Sequence, residues 1–259
     1  MYPLEGRRST IRLMLGDCLE KMKDIPDGSV DMVLCDLPYG TTACKWDSVI
    51  SFEALWEQYE RVCTPDAAIV LFGSEPFSTK LRHSRLELFK YDWVWKKSRT
   101  VGFLNAKNAP IKNYEMVSVF SKGTTANCSE RRMKYFPQGL VEVNKTRKSV
   151  KQNADTVVGS RPSRSKEYVA KFSGYPTAIL EFSNEPKQLH PTQKPVALLE
   201  YLIKTYTNPG ETVLDNCMGS GSTGVACVKT KRDFIGIELD DGYFKIAGQR
   251  IMETEPPIF

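Results

Sequence analysis

The sequence predicts an α/β protein with a single mostly parallel sheet, helices on both faces of that sheet, and one inserted region. Short apolar runs alternate with helical patterns at both ends of the chain, which is typical of strands joined by crossover helices. Between these ends, residues 122–187 are polar and basic, with Gly, Pro, Ser and Asn spread through them. A length of 259 residues suits one large domain that carries such an insertion. We therefore divide the chain into residues 1–121, 122–187 and 188–259.

Apolar runs and turn signals define the elements of the first part. Gly16 and Gly73 each end a strand, and the turn Pro26-Asp27-Gly28 stops a short helix. Strands are predicted at Ile11–Leu15, Val30–Cys35, Ala67–Phe72, Tyr91–Trp95 and Tyr114–Phe120, with helices through Leu19 and Met22, over Phe52–Val62 and near Phe77–Leu88. In the inserted part we expect a mobile basic loop around Asn144–Lys171.

Regular patterning returns after residue 188. A helix is predicted through Ala197 and Ile203, ending before the turn Asn208-Pro209-Gly210. The remaining elements are a strand at Thr212–Leu214, a Gly-rich turn, a helix at Gly224–Lys229, a strand at Phe234–Ile237 and a last helix at Gly242–Met252. This alternation again favours parallel strands.

The composition excludes several classes of protein. No apolar stretch is long enough to cross a bilayer, and the N-terminal segment lacks the apolar core of a secretory signal. The seven cysteines are scattered without a Cys-x-x-Cys pair, and neither of the two histidines has a ligand at metal spacing. We therefore expect a cytoplasmic protein with reduced cysteines, no membrane partner and a metal-free mechanism.

Positive charge is concentrated in the inserted region. The net charge of the chain is only +5, but basic residues crowd residues 131–171 and few acidic residues oppose them. Such a block indicates a polyanionic partner, although charge alone fits a solvated basic loop equally well. The candidate residues for contact with a polyanion are Arg131, Arg132, Lys134, Arg147, Lys148, Arg161 and Arg164.

The tetrapeptide Asp36-Leu37-Pro38-Tyr39 directly follows an apolar strand, and ligands of open α/β sheets bind at the carboxyl ends of strands. It supplies a carboxylate, a rigid backbone carbonyl and an aromatic ring, which suit a planar base with an amino group. Taken alone, such a tetrapeptide is more often an ordinary turn in which Asp36 caps and Pro38 fixes φ. Its meaning therefore depends on the other motifs.

The Gly-rich turn from Asp215 to Gly224 follows one strand and opens a helix, as a nucleotide-binding turn does. Asp215 at the strand end would repel a pyrophosphate but attract a sulfonium or ammonium group. Glu238, about twenty residues further on at the end of the next strand, is the usual type of partner for ribose hydroxyls. Together these residues favour an adenosine ligand with a cationic tail, which describes S-adenosylmethionine.

Five segments resemble motifs of the beta-class amino-group DNA methyltransferases, and they occur in the order typical of that class. Asp36–Tyr39 resembles the catalytic Asp-Pro-Pro-Tyr motif, Gly16-Asp17 the acid that contacts the cofactor adenine, and Glu238 the ribose-binding acid. His190–Pro195 resembles the segment before the cofactor-binding helix, and Asp215–Ser222 the Gly-rich cofactor motif. The resemblance covers nearly the whole chain outside residues 122–187.

The resemblance implies a Rossmann-like methyltransferase fold, S-adenosyl-L-methionine as cofactor and double-stranded DNA as partner, with residues 122–187 reading the target. Dimerisation is common in the family, so a homodimer is a further option, although the sequence identifies no interface. Leu37 departs from the family pattern by replacing the first proline, and Asn216 and Cys217 replace a proline and a phenylalanine. The implied cofactor-binding residues are Asp17, Asp36, Gln193, Lys194, Pro195, Asp215, Cys217, Met218, Gly219, Ser220, Gly221, Ser222, Glu238 and Leu239.

The activity implied by the resemblance is site-specific methylation of adenine N6 in DNA. Asp36 and the carbonyl of Leu37 or Pro38 would accept the two N6–H bonds of a flipped base, and Tyr39 would stack on that base. Aspartate at position 36 favours adenine, because serine is commoner there in the cytosine enzymes. Cytosine-N4 methylation is the first alternative, followed by an RNA or protein methyltransferase and by a non-catalytic DNA-binding module.

Overall fold

The computed structural model describes residues 8–40, 49–148, 167–185 and 193–254. Within these residues the chain divides into two compact units. The first contains residues up to 136 together with residues from 178 onward, and the second contains residues 137–177. None of the described helices is long and apolar enough to cross a membrane.

Ten strands form two sheets in the described part of the chain. In chain order they are β1 (Ile11–Leu15), β2 (Val30–Cys35), β3 (Cys63–Gly73), β4 (Phe89–Val101), β5 (Lys112–Phe120), β6 (Val141–Lys148), β7 (Glu167–Ser173), β8 (Ile179–Glu181), β9 (Thr212–Asp215) and β10 (Asp233–Glu238). The eight-stranded sheet of the first unit has the order β1-β10-β9-β2-β3-β5-β4-β8. Its neighbours pair in parallel except at β5, which is antiparallel to both β3 and β4. The prediction of one mostly parallel α/β sheet is confirmed.

Helices cover both faces of this sheet, so the first unit has three layers. The alternation of side chains along β2 shows how the layers are built. Met32 and Leu34 pack into the apolar cluster that contains α4, α5 and α6, whereas Val33 and Cys35 pack into the cluster that contains α1, α2 and α3. The six described helices are α1 (Cys18–Met22), α2 (Phe52–Val62), α3 (Phe77–Ser84), α4 (Val196–Tyr206), α5 (Ser222–Thr230) and α6 (Asp241–Thr254).

Three element boundaries in the first part differ by four residues or more from the sequence-based prediction. β3 begins at Cys63 rather than Ala67, because the polar residues that precede Ala67 continue the strand. β4 extends from Phe89 to Val101, well beyond Trp95, since its last residues form a half-exposed hairpin stem without apolar alternation. α3 ends at Ser84, four residues earlier than expected.

The second unit contains a strand pair that the sequence pattern did not reveal. β6 and β7 pair antiparallel, so the expected mobile loop at 144–171 is wrong at both of its ends, where residues 144–148 and 167–171 are strand. Residues 149–166 lie outside the described residues. Most side chains of β7 are exposed, so its residues lack the alternating apolar pattern that marks a half-buried strand. The chain division at residues 121 and 187 stays a prediction.

Candidate active site

A cavity of about 390 Å³ opens at the carboxyl ends of the parallel strands in the first unit. The helix that follows β9 packs on one face of the sheet and the helix that follows β2 packs on the other. The neighbouring strands β9 and β2 therefore form a topological switch point, where ligands of open α/β sheets bind. The cavity volume is in the range of small-molecule sites.

Asp36 leaves the end of β2 and reaches the wall of this cavity. Its Oδ1 accepts a hydrogen bond of 2.6 Å from the Tyr39 hydroxyl, and its Oδ2 accepts one of 2.5 Å from Lys194 Nζ. Two donors from different parts of the chain thus fix the orientation of this carboxylate. Both hydrogen bonds are charge-assisted, which makes them stronger than bonds between neutral groups.

Leu37 and Tyr39, in the loop that follows Asp36, are held by apolar packing. Leu37 is 4% exposed and belongs to the core cluster under β2, so burial anchors the loop where the resembling family has a stiffening proline. The Tyr39 ring packs against Phe77 with centroids 4.8 Å apart. Tyr39 therefore has a positioning contact with Asp36 in addition to the base-stacking role expected from the sequence.

A buried charge network extends from Asp36 to the antiparallel strand β5. Lys194 Nζ lies 3.4 Å from Glu115 Oε2, and Lys97 Nζ lies 2.7 Å from Glu115 Oε1. Burial alone would raise the pKa of Glu115, but the ammonium groups of Lys194 and Lys97 outweigh burial and lower it. Burial likewise works to lower the pKa of Lys194, and the carboxylates of Asp36 and Glu115 raise it instead. The ionised forms of Glu115 and Lys194 are therefore stabilised together.

Asp215 ends β9 inside the same cavity and is 4% exposed. Its Oδ2 accepts a 2.6 Å bond from the Thr223 hydroxyl, and its Oδ1 accepts a 3.1 Å bond from the Cys217 N–H. Burial raises the pKa of Asp215 to about 6, even though these hydrogen bonds favour the ionised form. A cationic ligand in the cavity would lower this pKa, because it stabilises the carboxylate.

Glu238 ends β10 and clamps the Gly-rich turn. Its Oε2 accepts a 2.8 Å bond from the Gly219 N–H, and its Oε1 accepts a 2.8 Å bond from the Asp240 N–H. On the neighbouring strand end, Asp17 lines the cavity while its Oδ1 caps α1 through the N–H groups of Leu19 and Glu20. These carboxylates are fixed before any ligand arrives, which lowers the entropic cost of binding.

The charge of the cavity wall fits a cationic cofactor. Among the described residues five carboxylate side chains line the cavity, but Lys194 is the one basic side chain there. This excess of negative charge suits a sulfonium and disfavours a pyrophosphate, as the Gly-rich turn suggested. No group of three His, Cys, Asp or Glu side chains that could hold a metal occurs in the described ranges.

The structure brings together most of the predicted cofactor residues, with two exceptions. Pro195 and Gly221 do not line the cavity. Pro195 is buried at the start of α4, and Gly221 is needed for packing, because a Cβ there would lie 2.9 Å from Ala247 of α6. The residues that do line the cavity are Asp17, Asp36, Gln193, Lys194, Asp215, Cys217, Met218, Gly219, Ser220, Ser222, Glu238 and Leu239, together with Leu37, Pro38 and Tyr39.

Lys134 is a correction to the predicted DNA contacts. Its Nζ lies 2.8 Å from Asp31 Oδ1 and 2.9 Å from Glu211 Oε1, at the amino ends of β2 and β9. Burial would lower the pKa of Lys134, but the hydrogen bonds with these two carboxylates raise it. Lys134 is therefore an intramolecular ion-pair residue at the sheet edge opposite the cavity.

The other predicted DNA-contacting residues fall into two groups. Arg131 and Arg132 are exposed, but they directly precede the segment whose Lys134 N–H bonds to Asp66 at the amino end of β3. They therefore lie at the edge of the sheet away from Asp36, and their contact with DNA stays a prediction. Arg147 is exposed on β6 in the second unit. The Lys148 side chain, Arg161, Arg164 and His190 lie outside what the structure describes.

Sequence reasoning missed several polar groups of the site. Glu115 was assigned only to a strand, and Lys97 was given no role. The buried hydrogen bond of 2.6 Å from the Tyr59 hydroxyl to Asn216 Oδ1 was also missed. This bond gives a structural role to Asn216, which stands where the resembling family commonly has a proline. The signal for Glu115 was a lone carboxylate at the start of an apolar run.

The chain is similar in sequence and in fold to known methyltransferases. The chain is 26% identical over 255 residues to the Type II methyltransferase M.HpaI of Haemophilus parainfluenzae, covering 93% of this chain and 74% of that relative. The crystal structure of an M1.HpyAVI–SAM complex is similar with a TM-score of 0.59 and 25% identity, covering 93% of this chain and all of that one. The cytosine-N4-specific PvuII DNA methyltransferase shares the fold at a TM-score of 0.65 and 16% identity, covering 95% of this chain and 89% of that one.

The fold and the acidic cavity thus define a methyltransferase that uses S-adenosyl-L-methionine. The family model of the N6/N4 DNA methylases matches residues 30–249, which is most of the chain. The chain therefore belongs to the N6/N4 DNA methylase family.

Proposed function

We propose that the chain transfers a methyl group from S-adenosyl-L-methionine to the N6 amino group of an adenine flipped out of double-stranded DNA. The observation that carries this proposal is the position of Asp36, a fixed carboxylate on the wall of the cavity that also contains Asp215 and Glu238. Membership of a DNA methylase family supports DNA as the substrate. The choice of adenine N6 over cytosine N4 as the methylated amine is argued separately below.

Asp36 has the acceptor capacity that this reaction needs. The adenine amino nitrogen is a poor nucleophile, because its lone pair is delocalised into the ring. A carboxylate that accepts one N–H bond, with the carbonyl of Leu37 or Pro38 accepting the other, turns the lone pair toward the methyl donor and stabilises the developing positive charge. Each carboxylate oxygen has about two lone-pair sites, so Asp36 can accept further bonds beyond those from Tyr39 and Lys194.

The remaining side chains of the site bind the cofactor and orient it toward the target base. When bound, S-adenosyl-L-methionine supplies a methyl group that is already activated, so the protein mainly has to align the reacting atoms. Glu238 is placed to accept bonds from ribose hydroxyls, and Asp215 to attract the positive charge of the cofactor. A base inside a duplex cannot reach Asp36, so the target base has to leave the stack.

Adenine is favoured over cytosine by the aspartate at position 36. The exocyclic amine of cytosine has similar chemistry, and the PvuII enzyme with the same fold is cytosine-N4-specific. Cytosine-N4 methylation is therefore the second candidate. Asp36 could accept an N–H bond from either amine, so the methylated product has to distinguish the two candidates.

The test is to incubate the protein with plasmid DNA and labelled S-adenosylmethionine and to digest the DNA to nucleosides. We expect the label in N6-methyladenine. Label in N4-methylcytosine alone would refute the adenine assignment, and DNA binding without any labelled nucleoside would favour a non-catalytic module. Parallel reactions with RNA and with a lysine- and glutamine-rich peptide test the remaining alternatives.

A further inference from the structure

The tip of the hairpin between β4 and β5 exposes two large apolar side chains. Leu104 is 97% exposed and Phe103 is 78% exposed, which are the highest values among the exposed large hydrophobic residues that the structure describes. Single exposed apolar residues are common on protein surfaces, but two consecutive ones at a protruding tip are an unusual arrangement for a region that stays in water.

This tip has a defined backbone conformation. Gly102 has φ +90°, a left-handed conformation that favours glycine, and it starts the short 3₁₀ turn Phe103–Asn105. The N–H groups of Asn105 and Ala106 donate 3.0 Å bonds to the carbonyls of Gly102 and Phe103. The two apolar side chains are thus presented on a preformed turn, so little ordering is required when they meet a partner.

The hairpin rises from the sheet edge that holds the cavity. Glu115 of β5 lines the cavity and pairs with Trp95 of β4. The last pair of the hairpin, Val101 with Lys112, is three residues of β5 further on, a distance of about 10 Å along a strand. Phe103 and Leu104 therefore project beyond the carboxyl edge from which Asp36 also extends.

The charge around the tip fits a polyanionic partner. Residues 93–114 contain five basic residues and no acidic one. Lys96 and Lys97 form ion pairs with Glu181 and Glu115. Arg99 and Lys107 are exposed, and neither has a carboxylate at ion-pair distance among the described residues. An apolar tip flanked by unpaired cations is the combination that DNA-bending proteins use to insert a side chain between bases while they hold the phosphates.

We propose that this hairpin tip binds double-stranded DNA beside the target base, and that Leu104, supported by Phe103, fills the space that the flipped base leaves in the stack. The inference rests on the proposed function, since it concerns the same base-flipping reaction. It adds a DNA-contacting element outside residues 122–187. Filling the gap offsets part of the free energy of unstacking, which is a few kcal/mol per base step.

The experiment compares wild type with the variant Phe103→Ala/Leu104→Ala on two duplexes. Both duplexes carry the methylation site identified by modification-sensitive sequencing of a treated plasmid, and one has an abasic site opposite the target base, which removes most of the cost of flipping. On the matched duplex the variant should be about 10- to 100-fold slower in methyl transfer. On the abasic duplex it should be within about threefold of wild type. Leu86→Ala is the control, because Leu86 is 62% exposed in the turn before β4, at the other edge of the sheet.

The outcomes separate this inference from the function on which it rests. A variant that methylates the matched duplex as fast as wild type would overturn the inference, and so would an equal loss on both duplexes, which would indicate a general structural defect. A wild-type protein that methylates no plasmid DNA would overturn the proposed function itself.

The flanking cations give an independent readout. Arg99→Ala/Lys107→Ala should reduce the slope of log K for DNA binding against log salt by about 2, because two phosphate contacts are lost. The control is Lys229→Ala/Lys231→Ala at the end of α5. An unchanged slope for the hairpin variant would contradict the DNA contact.

Discussion

The change Lys194→Met would leave two buried carboxylates close together without the cation between them. Lys194 Nζ lies 2.5 Å from Asp36 Oδ2 and 3.4 Å from Glu115 Oε2. These oxygens are therefore within about 6 Å of each other, and their repulsion at an effective dielectric constant of about 20 is about 3 kcal/mol. Lys97 still pairs with Glu115, so we expect a loss of about 3 kcal/mol of unfolding free energy, the lower end for a broken buried pair.

Urea unfolding of four proteins tests this value: wild type, Lys194→Met, Asp36→Asn and the double variant. Asp36→Asn removes the repulsion, so the double variant should be more stable than additivity predicts by about 1–3 kcal/mol. Lys204→Met on the same helix is the control, because its ion pair is exposed and should contribute less than about 0.5 kcal/mol. A loss below about 1 kcal/mol for Lys194→Met, or additive energies in the cycle, would refute the reasoning.

The pH dependence of the unfolding free energy follows from the lowered pKa of Glu115. A carboxyl whose pKa is lower in the folded than in the unfolded protein stabilises the fold above the unfolded pKa. That contribution is lost as the pH falls through the folded pKa. Lys194→Met removes part of the cause, so the difference in stability between wild type and variant should be constant near neutral pH and should shrink as the pH falls below the ordinary glutamate pKa of about 4.5.

Three further results are expected. Glu238→Ala should weaken S-adenosylmethionine binding about 10- to 100-fold in calorimetry, with Glu253→Ala unchanged, because charged hydrogen bonds are lost; an unchanged dissociation constant would count against the ribose contact. Because the pKa of Asp215 is raised to about 6, its contribution to stability should fall as the pH rises through about 6, whereas affinity for S-adenosylmethionine should rise over the same interval. S-adenosylhomocysteine, which lacks the sulfonium charge, and the variant Asp215→Asn should both show a weaker rise in affinity. Tyr59→Phe should lower the unfolding free energy by about 1–2 kcal/mol in urea, because it leaves the buried Asn216 amide oxygen unpaired.

The site residues at the ends of the parallel strands could be predicted from the sequence. Asp36, Asp215 and Glu238 each follow an apolar run, and parallel strands bring such residues to one edge. Glu115 could not be placed in this way. It stands at the amino end of its strand, and it reaches the same edge only because β5 runs antiparallel to its neighbours.

Basic residues were harder to interpret than acidic ones. Lys134 belongs to a basic block in the sequence, yet three-dimensional pairing with Asp31 and Glu211 makes it an internal cation. Those partners are about a hundred and about eighty residues away, and such pairing leaves no local pattern. The hairpin with Arg99 and Lys107, for which we propose a DNA contact, was not singled out in the sequence because it holds fewer basic residues than the basic block.

The most direct test of the central claim is the variant Asp36→Asn in two assays, labelled methyl transfer to DNA and calorimetric binding of S-adenosylmethionine. Asp66→Asn, a half-exposed carboxylate at the opposite edge of the sheet, is the matched control. We expect Asp36→Asn to slow methyl transfer at least about 100-fold while the dissociation constant for the cofactor changes less than about threefold. Methyl transfer close to the wild-type rate would contradict the role of Asp36, and with it the account of the site.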